Sequence, residues 1–217
     1  IQLARQLVDV KKDDGFSALH LAALNGHSQV CEVLVKEGMA DINIRNDRRQ
    51  TPFLLAVSQG HAAAVEKIVE LGCDILAKDE DGDNAMHLTI IKKANLVQEV
   101  PQQEAPKIYD IYQQLGHVQE HRLMYTLLCY LAQEGCKMEP NYKGARIFDW
   151  IPEQEIRDLI MSYEKNRIVP ANGAINASSS SSNDCNQSRD MTELYNNIEM
   201  MNLTPQDSTS TMEQDNS

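Results

Sequence analysis

His117 and His121 stand four residues apart, and that spacing puts two imidazoles on one face of a helix, as a pair of metal ligands would require. A zinc hydrolase of this pattern needs a Glu directly after the first His as general base, and Val118 is there instead. The nearest further ligand in sequence is Cys129. The pair therefore reads as solvated side chains at the end of an inserted segment. His20 and His87 have no Ser or Cys nucleophile placed beside them by local sequence. Each can instead bond backbone groups of an adjacent turn and tie neighbouring segments together. The acidic run Lys78-Asp-Glu-Asp-Gly82 lacks the alternating carboxylates and closing Glu of a calcium loop, so it reads as a solvated turn tip. The five cysteines, Cys31, Cys73, Cys129, Cys136 and Cys185, are odd in number, scattered, and contain no Cys-x-x-Cys pair. They read as reduced thiols of a cytoplasmic protein with no cofactor and no metal of its own. No constellation of residues suggests an enzyme.

The formal charge of −12 argues against a nucleic-acid partner, because phosphate binding demands concentrated Lys and Arg. No run approaches 18 apolar residues, so no membrane span is expected. The 217 residues open on Ile, which reads as a piece cut from a longer protein. An apolar content of 42% suffices for a packed core through most of the chain.

The elements that position these residues are repeats. Gly15-Phe-Ser-Ala-Leu-His-Leu-Ala-Ala-Leu-Asn-Gly-His27 is echoed by Gln50-Thr-Pro-Phe-Leu-Leu-Ala-Val-Ser-Gln-Gly-His61, and a third copy begins at Asp81-Gly-Asp-Asn-Ala-Met-His-Leu. Ser17, Thr51 and Asn84 recur about every 33 or 34 residues and are good N-caps, with Pro52 set for a first helical position. Gly26 and Gly60 fit a left-handed end to the first helix of each copy, and Gly38 and Gly72 a stop to the second. The period and the Thr-Pro-Leu-His-x-Ala-like core resemble the ankyrin repeat. The expected fold class is all-α, an ankyrin-repeat solenoid with short β-turn tips, followed by a disordered tail.

The expected organisation follows from these landmarks. Residues 1–12 are the remnant of a preceding repeat, whose closing helix is Ile1 to Leu7; 13–46 and 47–79 are full repeats. Residues 80–140 are a third, interrupted by an exposed insertion at about 94–121 that carries Pro101, Pro106 and many Gln and Glu, with a helical turn at Ile108 to Leu115. Residues 141–165 form a degenerate capping repeat in which Arg146 holds the cap position, Asp149 the His position, and Pro152 cuts the first helix short. Residues 166–217 are an acidic, Ser/Asn-rich segment expected to be disordered, apart from a short helical spacing of Met191, Leu194, Tyr195 and Ile198 suited to docking on a partner.

Val10-Lys-Lys-Asp-Asp-Gly-Phe-Ser-Ala-Leu-His, the Asp79-Glu-Asp-Gly-Asp83 turn, the interrupted third copy and the closing Lys143-Gly-Ala-Arg-Ile-Phe-Asp-Trp-Ile-Pro152 together resemble the ankyrin region of the Mind bomb E3 ubiquitin ligases. That resemblance covers residues 1 to 163. It implies a parent protein with substrate-binding modules before this segment and zinc-bound RING fingers, absent from this sequence, after it, which ubiquitinates the cytoplasmic tails of Notch ligands; the partners it implies for this chain are ubiquitin-pathway components or Notch-ligand tails. The chain itself would be a protein–protein interaction scaffold, and the alternative is a free-standing cytosolic adaptor. Candidate partner contacts lie on the turn tips: Arg45, Asp47, Arg48 and Arg49; Lys78, Asp79, Glu80 and Asp81; Asn141, Tyr142 and Lys143.

Overall fold

The computed structural model describes residues 7–12, 14–93 and 99–166. Among them are eight α-helices, one 3₁₀ helix and no β-strand. The helices are α1 (Ala18–Leu24), α2 (Ser28–Lys36), α3 (Pro52–Gln59), α4 (Ala62–Glu70), α5 (Ala85–Ile91), α6 (Pro106–Gln114), α7 (Arg122–Glu134) and α8 (Gln154–Lys165), with the 3₁₀ helix at Ile147–Trp150. Short helix pairs cannot hide their apolar faces alone, so they stack: α1 packs on α2 and α3, α2 on α4, α3 on α5, α5 on α7, and α7 on α8. The tail expected to be disordered, residues 1–6 of the remnant helix and Cys185 lie outside the described residues.

The repeated sequence positions build repeated local structure. Thr51 Oγ1 accepts from Leu54 N at 3.3 Å, and Asn84 Oδ1 accepts from the amides of Met86 and His87, so helix-entry amides that would otherwise be orphaned are satisfied. Pro52 occupies the first turn of α3. Gly26 and Gly60 end their inner helices at φ +74 and +73. Gly38 is needed for space: a Cβ there would lie 2.6 Å from the Leu34 carbonyl oxygen. The core is continuous along the stack, with Leu19, Phe53, Leu54, Ile68, Met86, Leu127, Leu128 and Leu131 almost or fully excluded from solvent. Each contributes roughly 2 kcal/mol of apolar transfer.

The inserted segment departs from expectation. It is a packed part of the fold rather than an exposed excursion: Val100, Ala105, Ile108, Ile111 and Leu115 are buried, and α6 lies against α7 and α4. The physical reason is a docking site made by another repeat. Glu66 of α4, 1% exposed, receives Lys107 N at 3.1 Å and Ile108 N at 3.0 Å, which caps the N-terminus of α6 from 41 and 42 residues away. Ser28 Oγ donates to Glu104 Oε2 at 2.9 Å, and Tyr163 Oη of α8 donates to Gln114 Oε1 at 2.6 Å. The Arg122 guanidinium stacks 3.7 Å above the Tyr112 ring and donates to the Tyr112 carbonyl oxygen. Burial pushes the Glu66 carboxyl above its ordinary range, opposed by the two amides it holds.

Candidate functional site

Four turns project from one end of the helix pairs, and all share one hydrogen-bond frame. In each, an amide bonds the carbonyl four residues on: Lys12 N to Phe16 O, Asn46 N to Gln50 O, Asp79 N to Asp83 O and Asn141 N to Ala145 O, at 3.0, 3.0, 3.0 and 3.1 Å. Three turns add a side-chain staple. Asn46 Oδ1 accepts from Arg48 N and Gln50 N, Asp79 Oδ1 from Asp81 N and Asp83 N, and Asn141 Oδ1 from Lys143 N and Ala145 N. These are Asx turns, the local geometry for which Asn and Asp are suited. Neighbouring tips are then joined through the main chain: Asp47 N to Asp14 O at 3.4 Å, Glu80 N to Arg48 O at 3.1 Å, and Tyr142 N to Asp81 O at 3.2 Å. The last link spans the insertion, so the tips keep one spacing although the sequence between Asp81 and Tyr142 is nearly twice as long.

The proposed contact residues divide on this geometry. Asp47, Arg48, Arg49, Glu80, Tyr142 and Lys143 are exposed and stand along the edge. Asp79 and Asn141 do not: they are 6% and 9% exposed, with side chains turned inward to hold their own turns. They are corrected to structural positions, because a buried side chain already bonded to two amides has nothing to offer a partner. Arg45 is half-buried, and its Nη1 donates to Lys78 O at 2.8 Å and to Arg49 O at 3.2 Å, which locks one tip to the next. Lys78 pairs with Glu139 at 3.1 Å, and Lys143 with Asp81 at 3.0 Å. The signal that separates these roles was present in the sequence: Asn46, Asp79 and Asn141 recur at the same place in each copy.

The electrostatics of the tips follow from burial. The Asp79 carboxyl is pushed up to about 6, first by loss of water and then by the Asp83 and Asp81 charges, against the pull of the two amides it accepts. Asp83 in turn accepts Asn141 Nδ2 at 2.7 Å.

Behind the tips, the two repeat histidines act as ties. His20 Nδ1 accepts from Ser17 N at 3.1 Å, which leaves Nε2–H to donate to the Gln50 carbonyl of the next turn at 3.0 Å. His87 Nε2 lies 3.1 Å from the Ala145 carbonyl, and its ring meets Trp150 edge-on at 6.0 Å. Burial holds both rings below their ordinary pKa. His61, which sequence reasoning left without a role, bonds the Leu24 carbonyl through Nε2 at 3.0 Å. Glu66 was also missed, since its partners in α6 are far away in sequence.

The helix shared by His117 and His121 does not form. His117 follows the end of α6, and His121 is the left-handed residue at φ +55 that precedes α7. Among the described residues no group of three His, Cys, Asp or Glu could hold a metal ion, and no helix is long and apolar enough to cross a membrane. Cys31 is raised to about 11, and Cys73, Cys129 and Cys136 to about 12, chiefly by burial. Thiols held in that state are poor nucleophiles at neutral pH.

Residues 1–79 match the family described as Ankyrin repeats (3 copies). The chain is 29% identical over 179 residues to the E3 ubiquitin-protein ligase mind-bomb of Drosophila melanogaster, a match that takes in 80% of this chain and 14% of that protein. It is 33% identical over 93 residues to the nuclear factor NF-kappa-B p105 subunit of Rattus norvegicus, covering 41% of this chain and 10% of that one. Protein phosphatase 1 regulatory subunit 27 of Mus musculus is 35% identical over 83 residues, covering 38% and 53%. The chain thus spans about a seventh of the mind-bomb relative and a tenth of the p105 relative. Residues 1–79 thus carry ankyrin repeats, a module of protein–protein interaction.

Proposed function

We propose that this chain is the partner-holding segment of a Mind bomb-like ubiquitin ligase, presenting its turn tips to another protein while catalysis resides elsewhere in the parent. One observation carries the reading. The likeness to the Drosophila ligase takes in 80% of the chain, too long a span to omit the inserted helix α6 and the helix α8 that closes the stack, whereas the p105 likeness takes in 41%. A shared repeat alone accounts for the shorter match and not for the longer one. By the family resemblance, the held partner is a ubiquitin-pathway component or the cytoplasmic tail of a Notch ligand, whose ubiquitination would promote its endocytosis. The surface offered is the edge formed by Asp47, Arg48, Arg49, Glu80, Tyr142 and Lys143.

The test is retention of a purified Notch-ligand cytoplasmic tail by the immobilised chain, followed by the same measurement with Arg48 and Arg49 both changed to Glu. Binding by the parent chain that the charge reversal weakens supports the reading. No retention of the tail by the unaltered chain refutes the Notch-ligand assignment. A free-standing adaptor is the competing reading, and the downstream reading frame separates them, because paired Cys-x-x-Cys motifs there belong to a RING ligase.

A further inference from the structure

The four tips differ at one position in a way their shared frame makes visible. The residue that closes each turn, with its amide bonded three residues back, is Gly15, Arg49, Gly82 or Gly144. All four take a left-handed backbone, at φ +77, +59, +79 and +79. Three copies use the residue that adopts this conformation without strain. The second uses an arginine, whose Cβ is crowded there. Strain retained at one copy of a repeated turn calls for a compensating use of the side chain.

The charges along the edge narrow that use. Lys12 pairs with Asp14 at 3.9 Å, Lys78 with Glu139 at 3.1 Å and Lys143 with Asp81 at 3.0 Å. Lys11 Nζ donates to the Arg45 carbonyl, and the Arg45 guanidinium is engaged by the Lys78 and Arg49 carbonyls. Among the described residues of the four turns, only Arg48 and Arg49 present basic side chains with no ion pair or hydrogen bond, and both are exposed. Their main chain is fixed, since the Arg49 carbonyl is held by Arg45 and the Arg48 carbonyl by Glu80 N. Each guanidinium is itself a fork of donors that matches a carboxylate, and the two leave successive positions of a held backbone. With a formal charge of −12, the chain as a whole repels polyanions, so two arginines suit a short acidic stretch of protein better than a nucleic acid.

We infer that Arg48 and Arg49 form the recognition point of the tip edge for an extended, carboxylate-bearing peptide segment of a partner. This rests on the reading of the tips as the partner-holding surface and specifies what chemistry is held there. Glu80 on the next tip sets a boundary, because it repels a carboxylate that runs past the fork.

The experiment measures fluorescence polarisation of a labelled peptide of alternating Glu and Ala, titrated with the full chain at low salt. Arg49→Gly installs the residue the other three turns use, so the fold is kept and the thermal midpoint holds or rises by a few degrees, on the order of 3 °C. Peptide affinity is expected to fall about tenfold in that variant and in Arg48→Ala, the size of one lost charge-assisted contact. Lys36→Ala, an exposed lysine on α2 outside the tip edge, leaves affinity within about twofold, and added salt weakens the parent's binding. The inference is overturned if Arg49→Gly binds the peptide as the parent does, if the parent does not bind it, or if oligouridylate competes better than the peptide. Retention of a Notch-ligand tail that survives Arg49→Gly removes this inference and leaves the scaffold reading standing. Loss of peptide binding in Arg49→Gly with no tail retention by the parent does the reverse.

Discussion

Asp79→Asn should stabilise the protein near neutral pH and lose that advantage in acid. The substitution keeps the side-chain oxygen that accepts Asp81 N and Asp83 N at 3.0 Å, and it installs the residue that Asn46 and Asn141 supply at the equivalent place in two other turns. In those turns the amide nitrogen finds Gln50 Oε1 at 3.1 Å and Asp83 Oδ1 at 2.7 Å. What the substitution removes is a carboxylate that is 6% exposed and sits among Asp81 and Asp83. Its pKa is raised from 3.8 to about 6, so the folded state holds the proton more tightly than the unfolded one. The penalty is absent below the unfolded value, where both states are protonated, and is complete above the folded value. It therefore grows as pH rises from about 4 to about 6. A shift of this size caps the gain at ~3 kcal/mol, and relaxation of the turn brings the expected value to ~2 kcal/mol. For a folded unit of this size that is a rise of about 4–8 °C in Tm at pH 7.5. Urea unfolding of the parent and the variant at pH 7.5, 5.5 and 4.0 measures it. An offset that does not shrink across that range, or a variant less stable at every pH, would show that Asp79 is held in the turn for its charge and not despite it.

Three further outcomes concern buried polar side chains. Glu66→Ala leaves the first amides of α6 without a partner, so stability should fall by ~2 kcal/mol, and hydrogen exchange should speed up at residues 106–115 before it does in α3. Tyr130 is 1% exposed with a hydroxyl that meets no hydrogen-bond partner among the described residues, so Tyr130→Phe should leave stability unchanged or raise it by ~1 kcal/mol in urea unfolding, and a loss above that size would reveal a bond to the hydroxyl. His20 is held neutral, with its folded pKa below 6.5, so its contribution is full above that pH and drains away as acid protonates the unfolded chain. His20→Ala should cost ~2 kcal/mol at pH 7.5 and flatten the fall in stability between pH 7 and 5, as read by thermal unfolding at each pH.

How much of this was legible in the sequence depended on the reach of each interaction. Ser17, Thr51, Asn84, Pro52, Gly26 and Gly60 act within one helical turn of their own position, and their types and spacing announce what they do. The tie of His20 to Gln50 was legible because the repeat carries it one period along. The docking of α6 was not, since Glu66 and Ile108 have no periodic relation and the prolines and Gln of the insertion suggested solvent. A signal was nevertheless there, because Ile108, Ile111 and Leu115 fall on one helical face. On the tips, charge in the sequence pointed to exposure for Arg48, Arg49 and Glu80 and misled at Asp79, where a short carboxylate folds back on its own backbone.

The main-chain links from tip to tip also separate two sides of the molecule. The additional helix is accommodated against the start of α2, at Ser28, and the middle of α4, at Glu66, and not against the turns that carry the exposed charges. Tyr142 then rejoins Asp81 as though no residues had intervened. Lengthening or replacing that helix would accordingly alter what the far side offers while the cadence of the projecting loops stays the same. The row of turns and the helix packed behind it can thus be modified independently in one polypeptide.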